Sequence, residues 1–74
     1  MKVTDAVCQQ ARRLFTPANA GEIITVFSTT ELPLIANNGE RVCLAILQLS
    51  QGDMDRELQQ AKIDWRDMLL VAGF

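Results

Sequence analysis

MDRELQQAKIDWRDMLLVA, residues 54–72, carries the strongest pattern in the chain. Its apolar set is Met54, Leu58, Ala61, Trp65, Met68, Leu69 and Ala72, at spacings of four, three, four, three, one and three. At about 100° per residue these fall within a stripe roughly 100° wide, as a helix with one core-facing side requires. Asp53 is placed to cap the start, and Gly52 before it supplies a left-handed stop for the preceding helix. The period runs through Asp64 without a slip, which predicts one helix from 54 to 72, ended by Gly73. The alternative is a break at Asp64, with that residue capping a separate last helix.

Working outward, Glu40 to Ser50 is apolar on nearly every side: Val42, Cys43, Leu44, Ala45, Ile46, Leu47 and Leu49. Leu and Ala dominate, so the segment reads as the central, most buried helix. Asn37-Asn38-Gly39 is turn chemistry, and Asn37 with Glu40 three residues later resembles a capping box. The short connection to residue 54 implies an antiparallel helical hairpin of about 40–50 and 54–72.

In the N-terminal half, Val7, Ala11, Leu14 and Phe15 predict a helix over 4–15, with Thr4 as N-cap and Asp5 in the first turn. Thr16-Pro17 ends it and opens the next, as N-cap and first helical residue. Ala20, Ile23, Ile24 and Phe27 then share a helical face. The β-branched run 23–27 also suits a strand, but no second strand is legible to pair with it, so helix is preferred. Ser28-Thr29-Thr30 is a break, after which Thr30 is placed to cap a short turn with Pro33 in its first-turn zone. The fold class is all-α, one domain over 1–74, a small bundle of about four helices.

Composition narrows function further. The 74 residues are 49% apolar, so the core is small and a partner chain is a natural support. There is no His and there are two distant Cys, Cys8 and Cys43, so no nitrogen/sulfur metal site is expected and no cofactor is called for. Met1-Lys2-Val3-Thr4-Asp5 turns polar at once and lacks the form of a leader. The expectation is a cytosolic protein with both thiols reduced and no membrane span. The net charge is −2, with Arg12-Arg13 the only basic pair, which makes nucleic acid a poor partner. Without His or Tyr, acid–base or thiolate chemistry lacks its usual supports. The four glycines are scattered and form no phosphate loop. Asp53-Met54-Asp55-Arg56-Glu57 lacks the glycine and distal Glu of a calcium loop, and helix capping accounts for it. Asp64 and Asp67, one turn apart, read as a solvated helix edge, and no catalytic residue is assigned.

The back of the last helix is the one surface with partner character. Ile63, Leu70 and Phe74 lie opposite the core stripe, at spacings of seven and four. Lys62 and Arg66 fall on one flank, with Glu57, Asp64 and Asp67 on the other, a sorting that Asp55 and Arg56 blur at the start of the helix. One reading has the N-terminal half covering these residues. The other has a second copy doing so, basic flank against acidic flank, as in coiled coils.

The segment ERVCLAILQLSQGDMDRELQQAKIDWRDMLLVAGF, from Glu40 to Phe74, resembles an uncharacterised family of small bacterial proteins. The shared residues are Glu40, Arg41, Val42, Gly52, Asp53, Ala61, Lys62, Asp64, Arg66 and Asp67, with Trp65 where the family usually has Tyr. The resemblance covers a little under half the chain. It implies a cytosolic helical protein and carries over no mechanism and no catalytic residue. The functional expectation is therefore a non-enzymatic interaction module or adaptor for an unknown protein partner, self-associating as a homodimer. The second reading is a nucleic-acid-linked regulator whose basic patch joins Arg12 and Arg13 to a neighbouring chain. The third is a binder of small apolar ligands.

Overall fold

The computed structural model describes residues 1–32, 35–50 and 53–74; Pro33 and Gly52, with the turn and stop assigned to them, lie outside these. The described chain is helical throughout its regular parts, in the order α1 (Asp5–Leu14), α2 (Pro17–Thr29), a 3₁₀ turn (Ala36–Asn38), α3 (Gly39–Ser50) and α4 (Met54–Ala72). It is a small all-α bundle, as the periodicities predict.

α3 is the centre. Val42, Cys43, Ala45 and Ile46 are fully buried, and the helix packs against α1, α4 and the 3₁₀ turn. α1 turns Val7 and Ala11 inward, and α2 packs on α1 with Ala20, Ile23 and Phe27 buried. The β-branched run 23–27 is thus helical. With no strand to pair with, burying one helical face decides its state over local propensity. Thr25, Ser28 and Thr30 donate their hydroxyls to the carbonyls four residues back, at 3.0, 2.9 and 2.7 Å, so these side chains stay with their own helix. Thr16 caps α2 as expected, its Oγ1 accepting from the Asn19 N–H at 3.3 Å. Leu14, expected in the core, is 50% exposed, because Val7 and Ala11 set the inward direction and Phe15 is half-buried beside it.

Two local expectations are corrected where Thr4 and Glu40, distant in sequence, meet. Thr4 precedes α1 in extended geometry, but its hydroxyl donates to Glu40 Oε1 at 2.5 Å rather than capping the helix. Glu40 therefore ties α1 to α3, and the capping box with Asn37 is replaced by a 3₁₀ turn running into α3. Thr30 closes α2, its N–H bonding to Val26 O and Phe27 O. The end of α2 also receives the Met1 ammonium, which donates to Phe27 O at 2.9 Å and to Thr30 O, and lies 3.6 Å from Glu31 Oε1. A positive charge at a helix C-terminus satisfies free carbonyls and complements the dipole.

The Met1 thioether lies 4.0 Å from Cys43 Sγ inside the core. Burial pushes the Cys43 thiol up from 9.0 to about 11, with the Met1 ammonium lowering it and Glu40 raising it in smaller measure. A thiol raised in the folded state contributes stability below about pH 9 that is lost as pH rises toward about 11. Denaturation midpoints measured across that range should fall more steeply for the wild type than for Cys43→Ala. Trp65 is buried in the core as its phase predicts, so Trp65→Ala should cost about 3–5 kcal/mol by urea denaturation. Ile63→Ala, on the exposed side, should stay within about 0.5 kcal/mol.

Candidate interaction surface

α4 contains its site-forming feature in the backbone. Asp64 leaves the helical region, at φ −156° and ψ 87°, and its Oδ1 accepts from the Asp67 N–H at 3.2 Å. This is N-capping geometry, so Asp64 ends one segment at Ile63 and starts another at Trp65. The single straight helix over 54–72 is corrected to a bent pair of segments, the break that the Asp64 alternative anticipated.

The bend is sharp enough to fold the second segment back. In a straight helix Glu57 and Val71 would be about 21 Å apart. Both border one hollow of about 160 Å³, together with Leu49 near the end of α3. Close by, Gln48 Nε2 of α3 donates to Ala72 O at 3.0 Å, clamping the last turn of α4 to α3. Gly73 then adopts φ 85°, and the Gly73 and Phe74 N–H groups bond to Leu70 O at 3.2 Å and Leu69 O at 2.9 Å. Those two bonds form the glycine-ended closure that sequence predicted at Gly73. Asp53 caps the other end, accepting from the Arg56 N–H at 3.1 Å.

The core stripe survives the bend. Leu58 and Ala61 before it, and Trp65, Met68 and Leu69 after it, are all buried. Outside, Ile63 is 77% exposed, Leu70 76% and Phe74 40%. The N-terminal half does not cover them. Their ridge is not straight, however: Asp64 separates Ile63 from Leu70 and Phe74. Val71, 68% exposed, adds an apolar residue on the hollow side of Asp67 that periodicity did not single out. The available signal was an aliphatic residue lying off both the core stripe and the predicted ridge.

The charges sort to either side of this face. Glu57, Asp64 and Asp67 are brought together around the hollow inside the bend, with Leu49, Met68 and Val71 also lining it. Lys62 and Arg66 are exposed on the other flank, and the Arg66 guanidinium lies 5.0 Å from the centroid of the Trp65 ring. None of these five charged residues makes an ion pair within the chain among the described residues. Arg12 and Arg13 are far from them in sequence, exposed in the last turn of α1, where positive charge suits the helix dipole.

Asp64 is engaged as a cap, and among the described residues no three His, Cys, Asp or Glu side chains come together as a metal site. Cys8 is half-buried, Cys43 is buried, and both are free. Among the described residues no helix is long and apolar enough to cross a membrane. No protein-family model matches the chain, and no curated protein or solved structure matches it significantly.

The cap at the bend gives a direct check. Asp64→Ala should lower stability by about 1 kcal/mol in urea denaturation, whereas Asp64→Asn, an equally good cap, should lie close to the wild type.

Proposed function

We propose that this chain is a non-enzymatic interaction module that self-associates through the outer face of α4. The observation that carries the reading is the exposure of Leu70, Val71 and Phe74 after the bend, and of Ile63 just before it, in a 74-residue domain. Several large apolar side chains exposed on one helix and flanked by charge are a usual mark of a protein contact, and association adds the burial that so small a core lacks. The clamp from Gln48 and the closure at Gly73 hold the end of this face in place, which reduces the ordering cost of binding. The free thiols of Cys8 and Cys43 support a reducing compartment, the cytoplasm, for this activity.

Light scattering over a wide concentration range tests the proposal. The wild type should rise from the mass of one chain toward twice that mass. The Ile63→Asp/Leu70→Asp double variant should remain monomeric with unchanged helical content. A wild type that stays monomeric at millimolar concentration contradicts it. So does salt-sensitive retention on heparin that depends on Arg12 and Arg13, which would favour a nucleic-acid role.

A further inference from the structure

We propose that the second copy is seated with the two-fold axis running along, and not across, the outer face of the Trp65–Ala72 segment, so that its basic flank enters the acidic hollow of the first. The inference rests on self-association through this face and specifies its geometry. On this segment the exposed residues follow one another around the helix in the order Arg66, Leu70, Asp67, Val71, at about 80, 120, 180 and 220° of a common wheel. Lys62, before the bend, falls on the Arg66 side of its own segment. Glu57 and Asp64 border the hollow on the Asp67 side. The face is therefore handed: Leu70 lies between basic Arg66 on one side and acidic Asp67 on the other, and Val71 lies beyond Asp67 at the hollow.

Symmetry turns this handedness into an orientation. A two-fold axis parallel to the segment places each side of one copy against the opposite side of the other. Lys62 and Arg66 then meet Asp67 and the hollow, twice over. A two-fold axis across the segment sets basic against basic and acidic against acidic, and like charges held at an interface weaken it. Neither flank is neutralised within its own chain among the described residues, so both are available to a partner. The hollow suits a long basic side chain: Leu49, Met68 and Val71 can contact an aliphatic stem, while Glu57, Asp64 and Asp67 supply negative charge for its head.

The test is the dimer dissociation constant by sedimentation equilibrium at 0.05 and 0.5 M NaCl, chosen as roughly low and high ionic strength. The wild-type dimer should weaken as salt rises. Lys62→Glu should weaken it about two- to tenfold at low salt, and Lys62→Glu with Asp67→Lys, which exchanges the signs at one position on each flank, should restore most of the loss. All substituted positions are exposed, and thermal melts confirm that the variants fold. Suppose instead that the wild-type dimer tightens with salt, or ignores Lys62→Glu, yet is still abolished by Ile63→Asp/Leu70→Asp. The apolar face would then stand and the proposed seating would be overturned. A wild type monomeric at every concentration overturns both.

Discussion

α3 has almost no side that water should see, and the rest of the chain is arranged to cover it. It is 12 residues long, about 18 Å, whereas the 19 residues of α4 would extend about 28 Å if straight. A straight α4 would overrun its partner and leave Met68, Leu69 and Ala72 without a core to enter. The bend at Asp64 removes the mismatch by returning the second segment to the end of α3. Met68 and Leu69 are buried as a result, and Gln48 can reach Ala72. The break frees backbone groups on either side of Asp64, and the Asp64 carboxylate offsets part of that loss by capping the Trp65–Ala72 segment.

The same bend creates the surface on which the functional reading depends. Folding back brings Glu57, Asp64 and Asp67 from separate turns to one hollow and leaves Lys62 and Arg66 on the other flank. It also presents Leu70, Val71 and Phe74 on a short segment fixed at both ends, by the Asp64 cap and by the Gly73 closure. Interior geometry and outer surface are therefore two consequences of one backbone departure.

Sequence periodicity recovered the directions of side chains well and the path of the backbone less well. Leu58, Ala61, Trp65, Met68 and Leu69 were legible as core because burial imposes a period that survives the break. For the same reason the break itself left no slip in the pattern, and only the capping chemistry of Asp64 hinted at it. Thr16, Asp53 and Gly73 were legible because their partners lie within a few residues. The Thr4–Glu40 bond and the Met1 contacts with the end of α2 were not, since they join residues 26 to 36 positions apart. The exposed face was half legible. Ile63, Leu70 and Phe74 followed from phase, while the hollow arises from a fold-back that no local window contains.

The central claim is that the outer face of α4 is where this molecule meets its second copy. A dilution series of amide NMR spectra tests it residue by residue. The account predicts concentration-dependent shifts at Ile63, Leu70, Val71 and Phe74, with Leu14 and Val26, the other exposed large apolar residues among those described, unmoved. A spectrum independent of concentration, or shifts centred on Leu14 and Val26, would contradict it.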